Sequence, residues 1–173
     1  MGTTRTELEA ELERYHADYF GWAMSCCGWQ RTEAEDVLQS SYLKVLDGRA
    51  AFDARSSFRT WMFGVIRRTA AEHRRSHALR RLWAPLPDGG AQLPDPAADP
   101  AASLGRSESS ARLVAALTML PARQRQVLHL VFYQELTIRE AAEVLGISIG
   151  AARTHYERGK GRLRELLDSE DRP

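Results

Sequence analysis

The chain has 173 residues, 43% hydrophobic and 27% charged, which fits one folded domain or two small ones and excludes a disordered chain. No apolar run is long enough to span a bilayer, and no basic stretch with an apolar core opens the chain. We therefore expect neither membrane insertion nor a signal peptide. The net charge of +1 hides a local asymmetry: residues 1–36 hold three arginines against eight carboxylates, and residues 67–81 hold six arginines against one glutamate. An acidic block beside a basic one predicts one protein-binding face and one nucleic-acid-binding face.

The two cysteines, Cys26 and Cys27, are adjacent in the sequence. Neighbouring cysteines neither staple a fold through a disulfide nor supply a four-ligand zinc site, so we interpret them as small apolar residues of a helix. A redox-sensing or metal-sensing role together with His16 is the alternative. This cysteine usage predicts a protein of the reducing cytoplasm.

Three helices are predicted in the first half of the chain from the spacing of their apolar residues. Thr32 and Glu35 fit a capping box at the start of the second helix. The predicted helices span residues 6–30, residues 32–46, and a segment from Ser56 or Ser57 to about His77.

The third helix has an apolar arc and a cationic side, with Trp61 at the edge of the arc and Phe52 in the polar loop before it. Arginines that follow a phosphate backbone beside aromatic rings are typical of a single-strand binding surface. The alternative is a solvated amphipathic helix whose aromatic residues are core; we favour core for Phe58 and Trp61 alone and nucleic acid for the arginines. The arc holds Phe58, Met62, Val65, Ile66 and Thr69, and the cationic side holds Arg67, Arg68, Arg74 and Arg75.

A linker is predicted after these helices, because residues 84–103 hold five of the seven prolines and no aromatic or basic residue. Helices resume near Ser107, and Pro121 marks a helix boundary. No pattern of period two appears, so the predicted fold class is all-α, with two small helical domains joined by a flexible linker. The apolar residues expected in the C-terminal core are Val127, Leu128, Leu130, Val131 and Phe132.

Residues 137–163 have the pattern of a helix-turn-helix. Thr137 and Glu140 fit a capping box, Gly146 suits a left-handed position after the first helix, and Ser148 is a good cap for the second. Short side chains at the start of the second helix and cations further along are what a DNA recognition helix needs. A helical hairpin with a solvated charged face is the alternative. The inner face holds Ile149, Ala152, Tyr156, Gly159 and Leu163; the outer side holds Ala151, Thr154 and Arg158, flanked by Arg153, His155 and Arg162.

Three co-linear segments resemble the extracytoplasmic-function (ECF) sigma factors of bacterial RNA polymerase. AEDVLQSSYLKVL, from Ala34, is similar to the helix that grips the polymerase clamp. FRTWMFGVIRRTAAEHRR, from Phe58, is similar to the segment that reads and melts the −10 element, and LPARQRQVLHLVFYQELTIREAAEVLGISIGAARTHYERGKGRLREL, from Leu120, to the domain that reads the −35 element.

The resemblance implies a sigma region 2 over residues 6–82, a linker over residues 83–106 and a sigma region 4 over residues 107–168. It implies core RNA polymerase and promoter DNA as partners and an anti-sigma factor as a candidate partner, without a cofactor or a small-molecule substrate. The implied polymerase-binding residues are Asp36, Gln39, Leu43 and Leu46. The implied −10 residues are Phe52, Arg55, Trp61, Arg67 and Arg68. The implied −35 residues are Arg139, Ala151, Arg153, Thr154, His155, Arg158 and Lys160.

The chain departs from the family at several of these positions. Arg68 stands where many members have asparagine, so the identity of the captured −10 base does not carry over. Ala151, Ala152 and Arg153 replace the frequent threonine, valine and lysine, so the −35 sequence is not inherited either.

Two other functions remain open from the sequence. A stand-alone regulator would bind a two-fold symmetric duplex site through the C-terminal helices alone. An enzyme would need a nucleophile set, a metal cluster or a phosphate-binding loop, and we find none of these patterns. His73 and His77 have metal-binding spacing, but the two arginines between them would repel a cation.

Overall fold

The computed structural model describes residues 4–83 and 108–170, and every regular element in these two ranges is helical. The all-α fold class is thereby confirmed. Apart from Trp83, the predicted linker lies outside the described residues. The helices are α1 (Arg5–Arg14), α2 (His16–Cys26), α3 (Arg31–Leu46), α4 (Phe58–Trp83), α5 (Glu108–Thr118), α6 (Ala122–Leu128), which continues as a π-helical turn (His129–Tyr133), α7 (Ile138–Leu145) and α8 (Ile149–Glu170).

The predicted helix over residues 6–30 is wrong, because the segment forms two helices. Tyr15, with φ of −110° and ψ of 19°, ends α1 and precedes α2. Positive φ angles at Gly28 and Trp29 then turn the chain after α2. The apolar spacing continues through Tyr15, so periodicity alone could not reveal the break.

The capping box predicted at Thr32 is also wrong. Helix α3 begins one residue earlier, at Arg31, and its N-cap residue Gln30 makes no side-chain cap hydrogen bond. The Glu35 carboxylate instead accepts a hydrogen bond of 2.8 Å from Arg31 Nε. An i,i+4 ion pair of this kind competes directly with capping for the glutamate.

Helix α4 starts as predicted and runs further than predicted. The Ser57 hydroxyl accepts a hydrogen bond of 3.1 Å from the Thr60 amide, which satisfies one of the free amides at the helix start. The helix continues past His77 to Trp83.

The core of the first half is built around Trp22. Its ring lies edge-on to Phe63 at 6.2 Å between centroids, and its Nε1 donates a 2.9 Å hydrogen bond to the Phe63 carbonyl oxygen. Tyr19 contacts the same phenyl ring at 5.5 Å. Because these side chains are fully buried, they fix α4 against α2.

In the second half, α5, α6 and α8 pack around Leu117, Leu120 and Leu128. Phe132, predicted to be core, is 57% exposed. It lies in the π-helical turn, whose i→i+5 hydrogen bonds place more residues in each turn and shift the side chains that follow off the helical face.

The two halves are not separate cores. Val127, Leu130 and Val144 belong to the same buried cluster as Trp22 and the apolar arc of α4. The first helix of the predicted helix-turn-helix, α7, therefore packs against α4.

Candidate nucleic-acid interface

The turn between α7 and α8 has the predicted geometry. The Thr137 hydroxyl accepts from the Glu140 amide at 3.2 Å, and the Glu140 carboxylate accepts from the Thr137 amide at 2.8 Å. Gly146 has a φ of 61°, and a Cβ there would meet no atom within 4 Å. The turn therefore needs glycine for its backbone angle and not for space.

Helix α8 is capped by Ser148, whose hydroxyl accepts a 3.1 Å hydrogen bond from the Ala151 amide. Its inner face buries Ala152 and Gly159, as predicted, while Tyr156 is half-buried. The prediction for Ile149 is wrong, because this first residue of the helix is 40% exposed.

The outer side of α8 presents Arg153, Thr154 and Arg158, all exposed, and we call these three residues the recognition face. Within the part of the chain that the structure describes, neither arginine forms an ion pair. The Thr154 hydroxyl donates to the Gly150 carbonyl oxygen at 3.0 Å. Since its proton is engaged, this hydroxyl is available to a ligand as an acceptor, beside its methyl group.

The residues that flank the recognition face differ in their burial and in their contacts within the protein. Ala151 and His155 are half-buried, and Arg139 on α7 is exposed. Lys160 Nζ pairs with the Glu157 carboxylate at 3.1 Å and lies 5.1 Å from the Tyr156 ring. Lys160 therefore has a partner for its charge within the protein.

A second candidate surface lies where the loop before α4 meets the start of that helix. Phe52, Phe58 and Trp61 form a cluster in which each pair of ring centroids is 5.3–5.4 Å apart, and we call it the aromatic corner. All three side chains are half-buried, and Phe58 and Trp61 pack against the main core. The aromatic corner therefore packs against the core on one side and is exposed to solvent on the other.

The predicted −10 arginines differ in their surroundings. Arg55 is exposed and pairs with Asp53 at 3.1 Å, whereas Arg68 is exposed above Gly64. Arg67 is half-buried, and its pKa is lowered by burial first and then by the positive charge of Arg123.

Arg74, which the sequence places on the cationic side of α4, is exposed and also has a contact within the protein. Its Nη1 donates a 2.8 Å hydrogen bond to the carbonyl oxygen of Cys26, the last residue of α2. An arginine at that position donates a hydrogen bond to a free carbonyl oxygen, and its positive charge interacts favourably with the negative end of the helix dipole.

The third candidate surface is the exposed side of α3, and we call Asp36, Gln39, Leu43 and Leu46 the α3 face. Asp36, Gln39 and Leu43 are exposed, whereas Leu46 is half-buried against the core. Gln39 and Leu43 line an apolar groove between α2 and α3.

Sequence reasoning missed three other residues that line this groove, His16 and Phe20 on α2 and Tyr42 on α3. His16 Nδ1 lies 3.0 Å from the Tyr42 hydroxyl. The i,i+4 spacing of His16 and Phe20, on the side of α2 away from Trp22, is the signal that could have found it.

The two cysteines are buried and unpaired, so their interpretation as small apolar core residues agrees with the structure. Burial raises the pKa of both thiols, that of Cys27 to about 12. Residues 4–83 and 108–170 contain no group of three metal-ligating side chains, and none of their helices is long and apolar enough to cross a bilayer.

The structure combines a helix-turn-helix that has a cationic outer side with a second helical unit that carries arginines beside an aromatic cluster. This combination is typical of a DNA-binding transcription factor. Comparison with known families gives a match to Sigma-70 region 2 over residues 12–80 and to Sigma-70 region 4 over residues 110–163.

Curated relatives agree along most of the chain. The ECF RNA polymerase sigma factor RpoE of Cereibacter sphaeroides is 30% identical over 159 residues, covering 91% of this chain and 85% of the relative. SigF of Caulobacter vibrioides is 33% identical over 139 residues, covering 80% and 73%. SigX of Bacillus subtilis is 29% identical over 176 residues, covering 92% and 87%.

Two solved structures share the fold. The sigma factor RpoE in complex with the anti-sigma factor NepR from Bartonella quintana matches with a TM-score of 0.72 at 23% identity, over 95% of this chain and 98% of that one. CnrH in complex with the cytosolic domain of CnrY matches with a TM-score of 0.67 at 21% identity, over 97% and 92%.

The chain belongs to the ECF sigma factors of RNA polymerase. It is a promoter-recognising sigma factor that acts with core RNA polymerase to initiate transcription. Sigma factors are transcription initiation factors and not catalytic enzymes.

Proposed function

We propose that this sigma factor uses three separate surfaces: the α3 face for the polymerase clamp, the aromatic corner with its arginines for the −10 element, and the recognition face for the −35 element. The observation that carries the proposal is the recognition face itself. Two arginines without an ion pair among the described residues and one hydroxyl acceptor project from the first three turns of a capped second helix.

For the −35 element, the chemistry of each side chain suggests its contact. Arg153 and Arg158 can donate paired hydrogen bonds to guanine O6 and N7. The Thr154 hydroxyl can accept from an adenine or cytosine amino group, and its methyl can contact thymine. The short side chain of Ala151 lets the helix approach the bases closely, and His155 is the remaining residue that we assign to the bases. Arg139 and Lys160 serve as phosphate contacts.

For the −10 element, the aromatic corner provides rings for unpaired bases. Phe52 and Trp61 border a cavity of about 170 Å³ whose other lining residues include Val45 and Ala50. Stacking of a base on such rings contributes about 1–3 kcal/mol, which offsets the few kcal/mol lost when a base leaves the duplex. Arg55, Arg67 and Arg68 would then follow the strand through its phosphates.

For the polymerase, the α3 face offers a surface of polar and apolar side chains, which is typical of protein–protein interfaces. Leu43 is 48% exposed beside the apolar groove, and Gln39 and Asp36 supply polar contacts one turn and two turns earlier, respectively. Leu46, half-buried, supports this surface from below.

The remaining expectations belong to the same proposal. Residues 6–82 and 107–168 act as the two functional domains, and residues 83–106 link them. The chain has no active site and needs no cofactor, it works in the cytoplasm beside the polymerase, and an anti-sigma factor can hold it silent.

A stepwise transcription assay with purified core polymerase tests the division of labour. A variant of Leu43 should fail to bind polymerase, and a variant of Arg158 should bind polymerase but not the −35 duplex. Trp61→Ala should bind both yet open the −10 region poorly, as read by 2-aminopurine fluorescence, with Trp61→Phe restoring opening. All three variants failing at the same step would contradict the proposal.

A further inference from the structure

Gly64 and Arg68 lie about one turn apart on α4, and the Arg68 side chain covers the glycine. A Cβ at Gly64 would stand 3.3 Å from Arg68 Nη1 and 3.9 Å from both Cζ and Nη2. These three atoms are the nearest to that position outside the local backbone, and all of them belong to the guanidinium. The flat cation therefore lies on the bare backbone of the helix, where any other residue would carry a side chain.

The packing of other helices does not explain why this position is a glycine. At Gly159 the atoms that a Cβ would meet belong to α6, whereas at Gly64 they belong to a side chain of the same helix. A glycine inside a helix is less favourable than alanine, because it loses more conformational freedom on folding. What a side chain at Gly64 would disturb is the guanidinium of Arg68.

The guanidinium is turned back along α4 towards the aromatic corner. Helical side chains point towards the N-terminus of their helix, so those at i and i+4 meet. Trp61, Gly64 and Arg68 follow the spacing of three and four residues that places them on one side of α4. A base that stacks on the aromatic corner would therefore have the guanidinium beside its edge.

The donors of Arg68 are available to such a base. Arg68 is exposed, and no residue in the described part of the chain takes its charge or its hydrogen bonds. Other −10 arginines differ, since Arg55 pairs with Asp53 at 3.1 Å and Arg67 is half-buried. A guanidinium presents five donors in a rigid planar fork and no acceptor. Arg68 thus suits a partner with two neighbouring acceptors.

Two of the four bases offer such an edge. Guanine has the acceptors O6 and N7 side by side, and cytosine has O2 and N3 side by side once it is unpaired. Adenine sets the N6 donor beside N7, and thymine separates its two carbonyl oxygens by the N3 donor. An arginine fork therefore discriminates against adenine and thymine.

We propose that Arg68 reads one unpaired base of the −10 element, that this base is guanine or cytosine, and that Gly64 positions the guanidinium for the contact. The inference rests on the proposed assignment of the aromatic corner to the −10 element. It gives Arg68 a more specific role than the phosphate contact assigned to the −10 arginines as a group. An asparagine, which many family members have at this position, would instead pair with adenine.

Transcription from pre-opened templates tests the base contact. Holoenzyme is assayed on a promoter that the wild-type chain transcribes, with the −10 region held open by mismatches and the non-template bases varied one at a time. At one position, guanine or cytosine should be preferred over adenine and thymine by at least about fivefold. The better of the two bases identifies the edge that Arg68 reads.

Arg68→Lys and Arg68→Asn separate a base contact from a phosphate contact. Lysine keeps the positive charge but loses the fork, so overall binding should be retained and the preference lost. Asparagine should shift the preference towards adenine. An Arg68→Lys variant with the wild-type preference would overturn the proposal, as would an equal loss of transcription with all four bases in Arg68→Asn.

Gly64→Ala tests the positioning role, and Gly21→Ala on α2 is its matched control, because a Cβ at Gly21 would meet no atom within 4 Å. Both substitutions should raise the urea midpoint of unfolding, since alanine favours helix and the exposed guanidinium can swing outward. Only Gly64→Ala should lower the base preference, to less than roughly half its wild-type value, because it misplaces the fork. Equal preferences in the two variants would show that Gly64 does not position Arg68.

The base contact and the underlying −10 assignment fail in different ways. If no −10 base affects transcription by the wild-type chain and Trp61→Ala transcribes the open templates normally, the assignment of the aromatic corner is wrong. If the wild-type chain prefers certain bases and Trp61→Ala weakens transcription while Arg68→Lys changes nothing, the aromatic corner stands and the contact by Arg68 is wrong.

Discussion

Gly159 of α8 lies directly against Leu128 of α6: a Cβ at Gly159 would stand 3.2 Å from Leu128 Cδ1 and 3.1 Å from Gln124 Cβ. Leu128 is 2% exposed and cannot easily move away. The absence of a side chain at Gly159 therefore sets how closely α8 packs on α6.

Gly159→Ala should destabilise the protein although alanine favours helix. Overpacking typically costs about 1–3 kcal/mol, which exceeds the gain of about 0.5–1 kcal/mol from replacing a helical glycine. Gly161→Ala is the matched control, because its Cβ would meet nothing within 4 Å and should stabilise. Urea unfolding of both variants checks this, and equal free energies of unfolding would show that α8 does not pack closely here.

Arg158→Ala should weaken −35 binding by about 1–3 kcal/mol if the side chain contacts a base. Polymerase holoenzyme binding is measured on the −35 duplex and on a scrambled duplex. Arg164→Ala removes an exposed arginine from the later turns of α8 and should change both affinities little. An equal loss on both duplexes for Arg158→Ala would make it a phosphate contact only.

Leu43→Asp should weaken the complex with core polymerase at least roughly tenfold, because it places a charge in a contact we assign to the α3 face. Leu79→Asp is a closely matched control, since Leu79 is 56% exposed on α4, outside the three proposed surfaces, and Leu43 is 48% exposed. Co-precipitation with core polymerase reads both variants. Identical binding by the two would remove the α3 face from the polymerase interface.

Stability should fall on acidification because of His129, whose ring lies 5.4 Å from Trp22 and 3.2 Å from Gln134 Nε2. Burial lowers its pKa from 6.5 to about 4. The unfolded chain therefore binds the proton first, so stability present above pH 6.5 is lost as the pH falls towards 4. The expected loss between pH 7 and pH 5 is about 2 kcal/mol.

His129→Gln should flatten this part of the pH dependence, and His155→Gln, at a half-buried position on α8, should not. Thermal unfolding at several pH values measures the slopes. A wild-type slope no steeper than that of His129→Gln would contradict the buried neutral histidine.

The sequence predicts those features that neighbouring residues determine. The capping box of Thr137 and Glu140, the left-handed Gly146 and the Ser148 cap each depend on atoms within a few residues, and the structure has all three. The capping box predicted at Thr32 is wrong although it also depends on nearby residues, because Glu35 forms an ion pair with Arg31.

The features that the sequence does not predict depend on distant residues or on a local change of helical period. Arg59 meets Gln134 across 75 residues, and no local pattern reveals that pairing. The exposure of Phe132 depends on the π-helical turn, which changes the helical period after α6. The packing of α7 on α4 is likewise invisible to an interpretation that treats each helical block by itself.

Run-off transcription on a library of genomic upstream fragments, with core polymerase in the presence and absence of this chain, tests the central claim most directly. We predict new start sites that share two spaced sequence elements and appear only when the chain is added. No new starts, together with tight binding of duplex DNA by the chain alone, would contradict the account and favour a stand-alone regulator.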